Sequence, residues 1–89
     1  MKIIYKYAVY LGQNSIILPK DAQILTVDEQ HGVFRLWVVV DPNGLHEQRE
    51  IVIVGTGQVL PEQGKLEHIN TFYSESGLYV WHAFEIKNA

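Results

Sequence analysis

Hydrophobic residues along this chain either alternate with polar ones or form short continuous runs, and each run ends at turn-forming residues. The strongest run is residues 51–54, four consecutive β-branched residues that are followed by Gly55, Thr56 and Gly57. β-Branched side chains are restricted at χ1 and pack well on a pleated surface, so this run predicts a central strand at residues 50–55 that is buried on both faces. The two glycines indicate a tight turn, a positive φ or a close contact directly after the strand.

Short segments of the same kind occur on both sides of this strand. They predict further strands at residues 2–11, 16–18, 22–29, 33–40, 66–73 and 78–86. Turns are predicted at residues 12–15, 31–32, 41–44, 62–65 and 74–77, where Gly, Pro, Asn, Asp and Ser cluster. Residues 45–49 are polar and could hold one helical turn. Because no long stretch has a helical repeat, the sequence predicts one all-β domain over residues 1–89, an antiparallel sandwich or small barrel of about six to seven short strands.

Several of these strands are apolar on both faces, which a single open sheet cannot bury. A chain of 89 residues buries only roughly 60–65% of its unfolded surface. A core this small usually needs further stabilisation. Because the sequence contains no cysteine, disulfides and thiolate metal sites cannot provide it. Either the sheet closes on itself or it packs against another copy, and we expect a homo-oligomer.

Charge and hydropathy restrict the functional class. The net charge is −3, and the seven basic residues are scattered rather than gathered into a stripe, so nucleic-acid binding is not expected. The N-terminal apolar run contains a lysine and is followed by no small-residue cleavage site, so it does not predict a signal peptide. No apolar run approaches the roughly 20 residues of a membrane span. We expect a soluble cytoplasmic protein that does not bind membranes.

The glycine-containing turn and the two arginines, Arg35 and Arg49, are candidates for binding an anion. Backbone N–H groups of the Gly55–Thr56–Gly57 turn could cradle an anion, although the turn could equally be a simple bend between strands. Arg35 lies in an apolar strand and therefore needs a partner. The partner is either a carboxylate of this chain or the phosphate or carboxylate of a ligand. The carboxylates considered are those of Asp41, Glu47 and Glu85.

His82 and Trp81 are the other candidate binding residues. His82 lies on an otherwise apolar strand face and is either a hydrogen-bonded core or interface histidine or a ligand contact. Trp81, like the other aromatic residues in the strands, either packs in the core or forms a stacking surface or an anchor for a protein partner. The histidines lack metal-binding spacing, the serines lie in turns and no pair of carboxylates stands out. We therefore predict no metal, no cofactor and no enzymatic activity.

Four stretches taken together resemble a known family. They are IYKY at residues 4–7, LWVVVDP at residues 36–42, VGTG at residues 54–57 and VWHAFE at residues 80–85. Their order and spacing are similar, over residues 2–86, to a family of short proteins of unknown function found mainly in bacteriophage and prophage genomes. The resemblance implies an accessory protein made by a phage in the cytoplasm of a bacterial host. It supplies no catalytic residues.

These observations support three hypotheses. The first is a non-enzymatic phage accessory protein that binds a host protein and counters a bacterial defence system. The second is an oligomeric protein that sequesters a small anionic or nucleotide ligand, and the third is a structural phage component. A ligand binder should have a pocket that contains both an arginine and the glycine turn, whereas a protein blocker should have an exposed apolar or strongly acidic patch. The residues predicted to contact a ligand or partner are Arg35, Arg49, Gly55, Thr56, Gly57, Trp81 and His82.

Overall fold

The computed structural model of the chain describes residues 1–88, which form strands joined by turns and short links. The strands in this part of the chain are β1 (Ile3–Val9), β2 (Gly12–Pro19), β3 (Gln23–Gln30), β4 (Val33–Val40), β5 (His46–Gly55), β6 (Lys65–Tyr73) and β7 (Val80–Lys87). They form a three-stranded sheet in the order β1-β4-β3 and a four-stranded sheet in the order β2-β5-β7-β6. All pairings are antiparallel. The prediction of an antiparallel all-β sandwich is confirmed.

The predicted hairpin around residues 31–32 is present, but the predicted turn at residues 12–15 is wrong. His31 and Gly32 both have positive φ, at 53° and 78°, as a two-residue hairpin loop requires. Residues 12–15 instead belong to β2, and the β1–β2 link is only residues 10–11. The Asn14 side chain closes this link, accepting from Tyr10 N at 2.8 Å and donating to Tyr10 O at 2.8 Å. A turn-favouring residue thus stabilises a turn from a position inside the next strand.

The helical turn predicted at residues 45–49 is also wrong, because β5 begins at His46. Polar residues here alternate along a strand with one exposed face. Gln48 Nε2 and Ser15 Oγ both donate to the Glu50 carboxylate, at 2.9 and 3.0 Å. Cross-strand pairing with β2 therefore overrides the weak local preference of this polar stretch.

The main core lies between the two sheets. Its most deeply buried side chains are Val9, Leu18, Val27, Leu36, Val38, Val40, Ile51, Ile53 and Ala83. β5 lies between β2 and β7, so the prediction that it is a central strand is confirmed. Ile51 and Ile53 face the core, while Val52 and Val54 point to the opposite face of the same sheet and are also buried.

On that opposite face Val52 and Val54 cluster with Ile86, Leu66 and Phe84, and the segment that we call the strap, residues 56–64, runs beside them. β5 and β6 both pair antiparallel with β7 and so run parallel to each other, which means that the strap must return along the length of the sheet. Gln63 Nε2 donates to Gln13 Oε1 at 3.3 Å, and Gln13 is the cross-strand partner of Val52. The strap therefore crosses the face that carries Val52 and Val54. The second apolar face of β5 is covered from within the chain.

Asn70 joins the two sheets along one side of the sandwich. Its Oδ1 accepts from Val27 N at 2.9 Å, and its Nδ2 donates to Val27 O at 2.8 Å. Both strands are irregular here, with register shifts at residues 24–26 of β3 and 68–70 of β6. The amide side chain thus extends the backbone hydrogen bonding from one sheet to the other.

Candidate functional site

Five of the predicted site residues, those of the glycine turn together with Trp81 and His82, come together where β5 ends and β7 begins. Gly55 is the cross-strand partner of Trp81, and the preceding pair brings His82 opposite Val54. Thr56 follows directly, and Thr56 N donates to Val80 O at 3.3 Å. The glycine turn and the start of the last strand are therefore one local structure.

Three of the four N–H groups of residues 55–58 have acceptors within the chain. Gln58 N donates to Gly55 O at 3.1 Å, and Gly57 has a φ of 88°, the positive φ that the third residue of a type II turn needs. Gly55 N donates to the Gln58 side-chain oxygen at 2.6 Å. Since the N–H groups of Gly55, Thr56 and Gln58 all have acceptors within the chain, the turn does not offer a row of free donors to an anion.

An indole ring approaches Gly55 closely. A Cβ atom at this position would lie 3.2 Å from Trp81 Cζ3, closer than most Cβ contacts. Trp81 stacks on Tyr79 with ring centroids 5.7 Å apart and meets Phe34 edge-to-face at 5.4 Å. Its Nε1 is buried and has no hydrogen-bond partner among the described residues. The sequence predicted a tight turn, a positive φ or a close contact for the glycines at this strand end. The contact between Gly55 and Trp81 is that close contact.

A hollow of about 420 Å³ lies between the glycine turn and the start of β7. It is lined by Gly55, Thr56, Gln58, Leu78, Tyr79, Val80 and Trp81. The lining contains no charged residue, so the hollow suits an uncharged, mainly apolar group.

His82 is held on the strap-covered sheet by two threonine hydroxyls. Its Nε2 is 2.8 Å from Thr56 Oγ1 and its Nδ1 is 3.0 Å from Thr71 Oγ1. His68 Nε2 is 3.2 Å from the same Thr71 hydroxyl and extends the chain of hydrogen bonds. His82 therefore fixes the glycine turn to β6, and sequence reasoning missed His68 and Thr71 because only the register of β6 on β7 brings them here.

Arg49 lies away from the glycine turn, toward the beginning of β5. Its guanidinium forms a two-pronged ion pair with Glu85, in which Nη2 donates to Oε1 at 3.0 Å and Nε donates to Oε2. Its Nη1 donates to Ala22 O at 2.8 Å. The hydrogen bond to Glu85 raises the pKa of Arg49, with a further contribution from the charge of the same carboxylate. A hollow of about 490 Å³ adjoins this pair, but the arginine is already satisfied within the chain.

Arg35 does not pair with the carboxylates predicted for it. Glu85 and Glu47 both contact Arg49 instead, Glu47 at 3.6 Å. Arg35 lies on the outer face of the three-stranded sheet, between Ala8 and Asp28, and its Nε has no hydrogen-bond partner in residues 1–88. The two arginines and the glycine turn thus occupy three separate regions.

Exposed apolar side chains collect at the end of the sandwich that carries the glycine turn. We call this the aromatic end: the links at residues 10–11, 31–32, 56–58 and 74–79, with the strand termini beside them. Its exposed side chains are Tyr10, Leu11, Tyr73, Leu78 and Tyr79. These links contain no lysine or arginine, and Glu75 is their one acidic residue. Sequence analysis missed Tyr10, Leu11 and Leu78 because each was assigned to a strand rather than to a link at one end.

Hydrogen bonds fix the conformation of the 74–79 loop. Ser74 N donates to Tyr79 O at 2.9 Å, and Tyr79 N donates to Ser74 Oγ at 3.1 Å. Gly77 N donates to Ser74 O at 2.8 Å, as predicted for a turn at residues 74–77. The Glu75 carboxylate accepts from His31 N at 2.7 Å, which ties this loop to the β3–β4 turn. Leu78 and Tyr79 are therefore presented on a preorganised loop.

No group of three or more His, Asp or Glu side chains in residues 1–88 is placed to hold a metal ion. The same residues contain no helix long and apolar enough to cross a membrane.

Comparison with known proteins places the chain in a family. A model described as a domain of unknown function (DUF7352) matches residues 1–89. The chain belongs to the DUF7352 family. No curated protein and no solved structure matches this DUF7352 chain. This match confirms that the chain belongs to a family of unknown function, as the resemblance indicated. The phage origin stays a prediction.

Proposed function

We propose that this DUF7352 protein is a non-enzymatic accessory protein that binds a protein partner through its aromatic end. The observation that carries the proposal is the exposure of Leu78 and Tyr79, at 78% and 59%, on a loop that is fixed by its own hydrogen bonds. Large apolar side chains held in one conformation lose little entropy on binding, and aromatic residues dominate the energy of many interfaces.

The chemistry of the aromatic end indicates the kind of partner surface that fits it. The hollow beside Leu78 and Tyr79 has an uncharged lining and would accept an apolar side chain of the partner. Glu75 is the one charged residue in the links of the aromatic end, which favours a partner with a basic residue close to its apolar contact.

The alternative, a small anionic or nucleotide ligand, has less support. Arg49 is engaged by Glu85, and Arg35 lies on the other sheet. The N–H groups of Gly55, Thr56 and Gln58 at the glycine turn already have acceptors within the chain. The pocket that this hypothesis requires, with an arginine beside the glycine turn, is not formed by the described residues. No specific observation supports the third hypothesis, a structural phage component.

The resemblance to phage-encoded proteins adds a biological setting to the proposal. In that setting the partner is a protein of the bacterial host, and occupation of its surface blocks a defence function. The aromatic end then acts by covering the partner's surface rather than by catalysis.

Affinity capture from bacterial lysate tests the proposal with a matched pair of substitutions. Leu78→Lys changes the aromatic end, and Leu45→Lys changes the opposite end of the sandwich at a leucine that is also 78% exposed. We expect a host protein to be retained by the wild-type protein and by Leu45→Lys but lost with Leu78→Lys. Equal retention by both variants would overturn the proposed surface. Native mass spectrometry that finds a bound small molecule would instead favour the ligand hypothesis.

A further inference from the structure

The two sheets end in four edge strands, and β1 is the one with the least protection. An edge strand presents unpaired N–H and C=O groups to which another strand can add. β3 and β6 carry register shifts and are tied together by Asn70. β2 ends at Pro19, which cannot donate a hydrogen bond. β1 pairs with β4 in regular register over seven residues and contains neither proline nor glycine.

The lysine in β1 does not guard the free edge. β1 is an edge strand of its sheet, but its Lys6 Nζ donates to Gln30 Oε1 at 2.8 Å. Gln30 lies on β3, on the far side of β4, so the Lys6 side chain reaches inward across the sheet. The charge that would repel an incoming strand is therefore directed away from it.

Apolar side chains are exposed on both faces of the sheet beside this edge. Ile4 is 61% exposed on the outer face. Tyr5 shares its face with Ile3 and Tyr7, which pack against the core, yet it is 41% exposed. Tyr5 and Tyr7 meet edge-to-face with centroids 6.3 Å apart. A further strand beside β1 would cover apolar surface above and below the sheet.

We propose that β1 pairs antiparallel with β1 of a second copy of this chain, across a two-fold axis at Tyr5. In this register Tyr5 faces Tyr5 of the partner subunit, and Ile3 faces Tyr7 of the partner subunit. A register centred one residue later would put the two Lys6 residues at the axis, where they would supply no apolar contact because their side chains extend toward Gln30. The pairing joins two three-stranded sheets into one of six strands and uses the least protected edge in a closed, symmetric contact. It does not depend on the proposed function, which concerns the end of the sandwich.

Cysteine scanning tests this register, because the natural sequence contains no cysteine. Directly opposite residues of an antiparallel pair have Cα atoms about 4.5–5.5 Å apart, within the range of about 4.4–6.8 Å that a disulfide spans. Under mild oxidation with copper phenanthroline, Tyr5→Cys should form a covalent dimer. Ile17→Cys, at an exposed position of edge strand β2, is the control and should stay monomeric.

Light scattering provides a second, independent measurement on the unmodified chain. We expect a mass of twice 10.2 kDa for the wild-type protein and a shift toward the single-chain mass for Ile4→Lys. A wild-type protein that stays monomeric at high concentration would overturn the dimer. A covalent dimer from Lys6→Cys but not from Tyr5→Cys would overturn the Tyr5-centred register.

Discussion

At the scale of single residues, the Arg49–Glu85 pair is the most heavily connected polar contact of the core region. Glu85 is 6% exposed, and the planar guanidinium of Arg49 matches both of its oxygens. The third contact, to Ala22 O, extends the pair from the four-stranded sheet to the β2–β3 link. Such a pair is costly to break from one side because the remaining charge stays buried.

Replacing Arg49 by methionine should lower the free energy of unfolding by about 3–5 kcal/mol, since it leaves the Glu85 carboxylate buried without its main partner. The double variant Arg49→Met/Glu85→Met should recover much of this loss because no charge is then buried. Urea denaturation of both variants measures the difference. A double variant no more stable than the single one would show that the pair is not coupled in this way.

The carboxylate of Glu50 predicts a pH dependence. Hydrogen bonds from Gln48, and then from Ser15, lower the pKa of Glu50 below its ordinary value. A lowered pKa adds stability above the unfolded-state pKa of about 4.3, and this stability is lost as the pH falls through the folded-state pKa. Glu50→Gln should therefore be slightly less stable than wild type at pH 7, and the difference should shrink in acid. Thermal melts of both proteins across pH 7 to 3 would contradict this if the gap stayed constant.

The residue types predicted backbone conformation and burial better than they predicted which side chains are in contact. A glycine permits a positive φ and a close contact because it has no side chain, and the sequence shows directly where the glycines are. Gly57 has the positive φ and Gly55 has the close contact. That Arg35 would lie partly buried in an apolar strand also followed from its pattern, but two of the three carboxylates considered for it, Glu47 and Glu85, contact Arg49 instead. Periodicity gives the face on which a side chain lies. The contacts on that face depend on strand order, which alternation does not encode.

At the scale of whole elements, pairing decided the lengths of β2 and β5. The bounds of β4 match the prediction because it is continuously apolar and lies between Gly32 and Asp41. β2 and β5 extend beyond the predicted strands into polar residues, and there each strand supplies the hydrogen-bonding partner of the other. Cross-strand hydrogen bonds such as that of Ser15 with Glu50 depend on a partner 35 residues away, so local patterns could not place these boundaries.

Asn70→Ala tests how strongly one side of the sandwich is held together. It removes both side-chain hydrogen bonds to Val27, and each buried backbone group left without a partner costs about 1–3 kcal/mol. We expect a loss of about 2–6 kcal/mol in the free energy of unfolding and faster hydrogen exchange at the Val27 amide. Normal exchange at Val27 with lower global stability would contradict a specific role for this amide bridge.

At the scale of the whole molecule, the two ends of the sandwich differ in chemistry. The links of the aromatic end carry one formal charge, whereas the opposite end carries Lys2, Lys20, Asp21, Asp41 and Glu47 among its exposed or half-exposed residues. The strand order produces this separation, because it brings distant links together at each end. The proposed dimer edge runs along the side of the sandwich, so pairing through β1 leaves the aromatic end of each copy accessible.

A second copy at the β1 edge would also supplement the marginal core of an 89-residue chain. Unfolding of a dimer releases two chains, so by mass action its melting temperature rises with protein concentration, whereas that of a monomer does not. Over an about 100-fold concentration range we expect the wild-type melting temperature to rise by several degrees. Ile4→Lys should melt at a concentration-independent temperature close to that of the most dilute wild-type sample, because only the contact between copies is lost. Concentration-independent melting of the wild-type protein would instead mean that its core and strap are sufficient without a partner.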